Sequence, residues 1–144
     1  MALDCGTVGS SSTSYHPAGV DVLLVGILRF PDDALASLEA GFISALQQTY
    51  TVVGDEGAID LPHNAYIPWE KDAIFTIRHH DEETGKVYRI KGADEYQLMV
   101  EHFADVVSGK TTLLFSMNDS ISNMKAIDAV GTAARNGETV VLKR

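Results

Sequence analysis

Histidine and cysteine are the residue types of this chain best suited to metal binding or acid–base chemistry, with five histidines and one cysteine among 144 residues. His79 and His80 are adjacent, and neighbouring side chains of a strand point to opposite faces, so the pair does not predict a shared metal ion. His102 lies beside the apolar positions of a predicted helix, which favours a polar or interface position. Cys5 has no basic neighbour that would lower the pKa of its thiol. These patterns predict neither a catalytic residue nor a metal site in this chain.

The least regular stretch, residues 63–71 (HNAYIPWEK), is the other place where a site is expected, because binding residues often lie on loops. It contains His63, Trp69 and Glu70. Two interpretations stay open: a ligand-binding loop, or an ordinary connection in which Trp69 anchors the packing.

No glycine-rich phosphate-binding motif is present, because the sequence contains neither G-x-G-x-x-G nor G-x-x-x-x-G-K-[ST]. Residues 54–57 (GDEG) carry two carboxylates, the wrong charge to hold a phosphate. We therefore expect that this chain by itself binds no dinucleotide cofactor.

The composition indicates an acidic globular protein, with 20 acidic residues, 11 basic residues and a net charge of −9. This charge argues against nucleic acid or an anionic membrane as a partner, because both would repel the chain. A single cysteine excludes an internal disulfide. The sequence shows neither a signal-peptide pattern nor an apolar run of membrane-helix length, so we expect a cytoplasmic protein.

Most predicted strands precede the predicted helices, and this order favours an α+β fold with a mostly antiparallel sheet over alternating βαβ units. The strand-like segments are 22–30, 34–43, 47–53, 58–61, 73–80, 86–90 and 139–142, with a short extended piece at 111–115.

The first of these segments, VLLVGILRF, is apolar on both of its alternating sides. Leu24 and Leu28 point one way, whereas Val25 and Ile27 point the other way. A strand that is apolar on both sides must be covered on both sides. We expect two helices to cover one face of the sheet and the other face to be available for oligomerisation.

The first helix is predicted within residues 94–110, where apolar side chains recur at three- and four-residue spacing. Asp94 is its expected N-cap, with Gln97 at the capping-box position, and Gly109 is expected to end it. Ser116 and Asp119 are expected to begin the second helix in the same way. The serine-rich residues 1–19 are expected to be a flexible or truncated segment, and residues 20–144 one sheet domain.

From Val20 onward the chain resembles the C-terminal domain of the Gfo/Idh/MocA oxidoreductases. Four segments carry the resemblance in order: GVDVLLVGILRFPDDALASLEAGF, TYTVVGDEGAIDLP, ADEYQLMVEHFADVVSGK and NDSISNMKAIDAVGTAARNGETVVL. The resemblance implies a two-domain enzyme in which an N-terminal half holds NAD or NADP and this domain covers it. It also implies that this domain supplies part of the pocket for a sugar or polyol and packs its open sheet face against another subunit. In such an enzyme, hydride passes between nicotinamide and substrate while a lysine or histidine moves the proton.

The chain departs from the family pattern in two ways, which lead us to interpret it as an isolated or truncated domain that is inactive alone. The dinucleotide half and its E-K-P lysine segment are missing, since Glu70-Lys71 is followed by aspartate. The family motif D-x-G-x-[HY] begins at Asp4, but Val8 stands where histidine or tyrosine should be. The resemblance implies that Asp4 is the relic of a substrate-pocket residue, and His16 does not inherit the missing role.

Two alternatives to this function stay open. In the first alternative, the chain is a stand-alone binding or scaffold module that dimerises face to face without catalysis. In the second, it is a small-molecule sensor that uses the loop of residues 66–71.

Overall fold

The computed structural model describes residues 6–62, 65–66 and 71–142 of the chain. In chain order the elements are β1 (Thr7–Tyr15), β2 (Asp21–Arg29), β3 (Leu35–Gly41), β4 (Tyr50–Val53), β5 (Gly57–Leu61), β6 (Ala73–His79), β7 (Lys86–Ile90), α1 (Glu95–Val107), α2 (Met117–Asn136) and β8 (Val140–Val141). They form two compact units, one comprising Met1–Ser44 with Leu114–Arg144 and the other Ala45–Leu113.

The first unit is a four-stranded antiparallel sheet in the order β3-β2-β1-β8, with α2 packed against it. Leu28 of β2 lies between Val8 of β1 and Ala36 of β3. The register between β1 and β2 shifts after Val8, where β1 carries an extra residue as a β-bulge.

The core of the first unit consists of small side chains at the contact between α2 and the sheet. Val8, Ala129, Val130 and Ala133 are buried, with Val8 at 0% exposure. A Cβ placed on Gly26 of β2 would come within 3.3 Å of Cγ1 of Val130. The helix lies close to the strands because alanine and glycine leave room for it. Five partly buried side chains surround this core: Leu24, Leu28, Leu38, Val140 and Leu142.

Helix α2 has the two end structures that its sequence predicts. Ser116 Oγ accepts a hydrogen bond from the Asp119 backbone N–H at 3.2 Å, and Asp119 Oδ2 accepts one from the Ser116 N–H at 2.9 Å. This reciprocal pair is a capping box. Gly137, with φ of 69°, follows the last helical residue and takes the left-handed conformation that favours glycine.

The second unit contains the antiparallel meander β4-β5-β6-β7 and helix α1. Asp72 links the start of β6 to the end of β7, because its carboxylate accepts hydrogen bonds from Arg89 Nη1 at 3.3 Å and from the Gly92 N–H at 3.4 Å. The residue two positions after β7 is thereby tied to the residue before β6.

Helix α1 begins at its predicted cap but contributes no buried residue. Asp94 Oδ1 accepts from the Gln97 N–H at 2.9 Å, whereas the Gln97 side chain donates to Glu101 at 2.6 Å instead of completing a capping box. The N–H groups of Gly109 and Lys110 bond back to the carbonyls of Val106 and Asp105, which is the Schellman pattern of a helix end.

The predicted α+β class with antiparallel strands is confirmed, although the packing differs in three respects. The strands form two sheets instead of one. Of the two helices, α2 packs on the first sheet, whereas the apolar side chains of α1 are exposed. The serine-rich segment forms strand β1, and residues 111–115 form no strand. The serine-rich composition of this segment did not predict a strand. Strand β1 forms because it pairs with β2 and buries Val8. The domain boundary after residue 19 stays a prediction.

Replacing Ala133 by leucine tests the close approach of α2. Ala133 is 1% exposed, so the larger side chain must displace the helix or the sheet. We expect Ala133→Leu to lower the free energy of unfolding by about 1–3 kcal/mol in urea titrations. The control is Ile127→Leu on the exposed side of the same helix. An unchanged urea midpoint for Ala133→Leu would contradict the packing described here.

The capping box of α2 gives a second prediction, on how the stability of the fold depends on pH. Hydrogen bonds from the Ser116 side chain and backbone lower the pKa of the Asp119 carboxyl below its ordinary value of 3.8. A lowered folded pKa means that the stabilisation is present above the unfolded pKa and is lost as the pH falls through the folded one. We expect Asp119→Ala to reduce stability in urea at about pH 7 and the difference to disappear at about pH 2. Asp128→Ala, outside the cap on the same helix, is the control; a pH-independent effect of Asp119→Ala would contradict the assignment.

Candidate functional site

The family-motif position has become part of the hydrophobic core. Val8, where the resembling family carries histidine or tyrosine, is fully buried among Ala129, Val130 and Ala133. Asp4, the predicted substrate-pocket residue, lies outside the described residues. His16 sits in the turn after β1, where Nδ1 accepts a hydrogen bond from the Ala18 N–H at 3.2 Å. The motif position therefore offers no polar atom for substrate.

Of the remaining described histidines, two are adjacent at the end of β6 and the third lies on α1. His79 ends β6, and the His80 N–H donates to the Glu56 carbonyl at 3.1 Å. His102 is half-buried on α1. Across residues 6–62, 65–66 and 71–142, no group of three or more potential ligands could hold a metal ion. His63, Trp69 and Glu70 of the loop lie outside the described residues, and Lys71 is exposed.

The glycine-flanked segment of residues 54–57 is the turn of the β4–β5 hairpin. The Gly54 N–H donates to the Gly57 carbonyl at 2.8 Å. Gly57 is required here, because a Cβ would collide with the Arg78 carbonyl of β6. Asp55 and Glu56 lie at the tip of the turn.

The phosphates of a dinucleotide do not fit this turn. A phosphate cradle needs backbone N–H groups at the start of a helix, whereas this turn joins two antiparallel strands and carries two carboxylates. No chemical step through a nicotinamide is therefore assigned to the residues described here.

Beside this turn lies a shallow, open cavity of about 260 Å³. Its floor is apolar, with Val52, Ile59 and Ile77 from three neighbouring strands, and Arg78 and His79 lie at its rim. Its described lining residues include no serine, threonine or cysteine that could act as a nucleophile.

Alternation places seven large apolar side chains of the second sheet on one of its two surfaces, which we call the strand face: Tyr50, Val52, Ile59, Phe75, Ile77, Tyr88 and Ile90. The rings of Phe75 and Tyr88 stack with centroids 5.1 Å apart at an angle of 8°, and Lys86 Nζ lies 5.0 Å from the centre of the Tyr88 ring. Sequence reasoning missed this surface, although the two-residue spacing of apolar side chains in β6 and β7 was its signal.

The two-sided character of β2 is also present in the structure. Leu24 and Leu28 contact the core beneath α2, whereas Val25 and Ile27 lie on the opposite face and are 41% and 42% exposed. In the described part of the chain, no helix is long and apolar enough to cross a membrane.

A protein-family model described as the oxidoreductase family, C-terminal alpha/beta domain, matches residues 4–142. The chain is 26% identical over 135 residues to D-xylose 1-dehydrogenase (NADP(+)) 2 of Haloferax volcanii, covering 94% of this chain and 41% of that protein.

Solved structures of full-length oxidoreductases contain the same fold. The aldose-aldose oxidoreductase of Caulobacter crescentus, complexed with glycerol, matches 96% of this chain and 42% of its own with a TM-score of 0.75 at 18% identity. A 3-ketoreductase of Actinomadura kijaniata, in complex with NADP and TDP-benzene, matches 90% of this chain and 39% of its own with a TM-score of 0.79 at 20% identity. At these identities the likeness shows the fold alone.

The chain thus spans less than half the length of the relatives that it matches. The family model matches nearly all residues of the chain, and the architecture is antiparallel α+β. The chain therefore belongs to the Gfo/Idh/MocA oxidoreductases, in the part that forms their C-terminal α/β domain.

Proposed function

We propose that this chain is the substrate-binding and oligomerisation domain of an NAD(P)-dependent sugar- or diol-type oxidoreductase. The observation that carries the proposal is the family match over residues 4–142, combined with a span of only 41% of the D-xylose dehydrogenase relative. NAD or NADP would be held by the part of such an enzyme that this chain does not match. The chain alone is then inactive as a dehydrogenase.

The proposed substrate class is inferred from the molecules named for the relatives. One acts on D-xylose with NADP(+), and another was solved with glycerol bound, so polyhydroxylated molecules recur among them. We propose that Asp4 contacts such a substrate. The cytoplasmic location stays a prediction from the sequence.

Oligomerisation is proposed through the face of the first sheet opposite α2. Val25 and Ile27 are exposed there beside Ser37 and Glu39 of β3. Apolar side chains on a sheet face gain free energy when they leave water, about 25 cal/mol per Å² of buried apolar area. A second copy of the chain is the partner that this proposal names.

A second candidate function is a stand-alone binding module that dimerises through the same face and performs no catalysis. The burial of Val8 favours it, because the motif position then contributes to stability and not to a pocket. The two functions differ in whether an NAD(P)-binding partner confers turnover on the chain.

Val8→His tests whether the motif position can carry a polar group. A buried imidazole without a hydrogen-bond partner costs free energy, so we expect stability in urea to fall by about 1–3 kcal/mol. The control is Val53→His, an exposed valine of β4 outside the proposed interface, for which we expect little change. Equal stability of Val8→His and the unsubstituted chain would show that this position is open to a pocket.

Cofactor titration and solution mass test the proposed division of labour. We expect the purified chain to bind neither NADH nor NADPH, to show no dehydrogenase turnover with pentoses or polyols, and to have a mass greater than that of one copy. Turnover by the chain alone would overturn the proposal.

Val25→Asp is the matching test of the proposed interface. A charge on the apolar face should shift the chain towards the monomer in sedimentation experiments, because a buried carboxylate is strongly disfavoured. Val53→Asp, an exposed position on the other sheet, is the control. Unchanged association of Val25→Asp would exclude this face.

A further inference from the structure

Helix α2 ends at an asparagine that is followed by glycine, Asn136-Gly137, and this pair occurs once in the sequence. Asparagine before glycine is chemically labile, because glycine has no side chain to hinder attack of its backbone nitrogen on the preceding side-chain amide. Asn136 is exposed, and no hydrogen bond joins its side chain to another described residue. The described contacts therefore give this amide no structural role.

We propose that Asn136 is a self-modification site that the end of α2 keeps closed. In the reaction, the Gly137 nitrogen attacks Cγ of Asn136, and its proton leaves with the side-chain nitrogen as ammonia. A cyclic imide forms, and water opens it at either carbonyl to leave aspartate or isoaspartate, in which the chain runs through the former side chain. The proposal goes beyond the function proposed above and does not depend on it.

The fold closes this site by occupying the attacking nitrogen. The Gly137 N–H donates to the Ala133 carbonyl at 2.8 Å, with Gly137 in the left-handed conformation at φ of 69°. The nitrogen must give up this hydrogen to react. Ring closure also requires a ψ at the asparagine far from the helical value of about −42°. Each requirement breaks the last turn of α2, so only copies with an opened helix end react.

Opening of this turn is limited by the contacts around it. Ala133 is 1% exposed in the core of the first unit, and only residues 137–139 separate the helix from β8. Strand β8 pairs with β1, and the Leu142 N–H after it donates to the Gly6 carbonyl at 3.1 Å. The helix end and the edge strand are thus coupled through a short link, and the reactivity of Asn136 reports on both.

Isoaspartate at position 136 alters this link in two ways. It adds a carbon atom to the backbone of a connection that is only three residues long. It also places a carboxylate at the end of the helix, where the unpaired carbonyls already create a negative potential. Val140, directly after the link, packs against the core that contains Val8. We therefore expect the modification to weaken the pairing of β8 with β1.

The first test compares the reaction rate in three samples in the same mildly alkaline buffer: the folded chain, the chain unfolded in guanidinium chloride, and a peptide of residues 132–140. Mass spectrometry follows the gain of about one dalton at Asn136. We expect the peptide and the unfolded chain to react at least about tenfold faster than the folded chain, because only opened helix ends react. Equal rates in the folded chain and the peptide would overturn the proposal, as would an unreactive Asn136 in the unfolded chain.

A pair of substitutions on α2 tests whether the helix end is the gate. Ala133→Leu disturbs the packed turn whose carbonyl holds the Gly137 N–H, so we expect a reaction at least about threefold faster. Ile127→Leu, at an exposed position of the same helix, should leave the rate unchanged. Equal rates in both variants would contradict the gate.

Hydrogen exchange of the Gly137 N–H gives the same test without a substitution. In the unsubstituted chain, low concentrations of denaturant should raise this exchange rate and the reaction rate at Asn136 in the same proportion, because one opening permits both. A reaction that accelerates while the exchange rate stays constant would show that the helix end does not control the site.

The consequence for β8 is tested on the modified chain, isolated by its additional negative charge. We expect a lower urea midpoint and faster hydrogen exchange of the Leu142 N–H than in the fresh chain. Asn136→Asp is the matched control, because it carries the new charge on a normal backbone, and its midpoint should fall less. Asn136→Gln should stay unmodified under the same incubation, since the longer side chain closes a ring much more slowly. Equal midpoints for the modified chain and Asn136→Asp would overturn the proposed effect on β8.

Discussion

The close approach of α2 to its sheet is the constraint on which the first unit depends. Ala129 and Ala133 on the helix, and Gly26 on β2, leave space for the backbones to approach, and Val8 fills what is left. Interiors are packed as densely as molecular crystals, so a larger side chain at any of these positions has no free volume to occupy. The burial of the motif position Val8 follows from that contact.

The same contact also gives the motif position a structural role. In the family pattern, the fourth residue after the motif aspartate is polar, whereas here Val8 points into the core under α2. A side chain that is fully buried in an apolar core cannot also present a polar atom to a sugar, because a buried polar group requires a hydrogen-bond partner within the core. The chain keeps the architecture of an oxidoreductase domain while the motif position serves stability.

Local signals predicted the parts of the fold that local physics determines. Asp94, Ser116, Asp119 and Gly137 are where caps and turns were expected, because each acts on backbone groups within four residues. Strand β1 was not predicted, since it depends on pairing with β2, a contact distant along the chain. The exposure of α1 was not predicted either, because the apolar spacing of a helix does not say which element covers it. For the candidate site, the two carboxylates of residues 54–57 can be read from the sequence, whereas burial of Val8 depends on the packing of α2.

The small core of this molecule makes its stability sensitive to any partner that covers its exposed apolar surfaces. Among the described residues the buried apolar set is small, with Val8, Ala58, Ala129, Val130 and Ala133, and large apolar side chains are exposed on both sheets and on α1. A chain with a small core has little free energy of folding to spare, because chain entropy offsets most of what burial contributes. Any partner that covers Val25 and Ile27, or the strand face, therefore stabilises the folded state by mass action. Folding of such a domain depends on the concentration of the partner, because the apolar area that the partner covers adds to the area buried in the core.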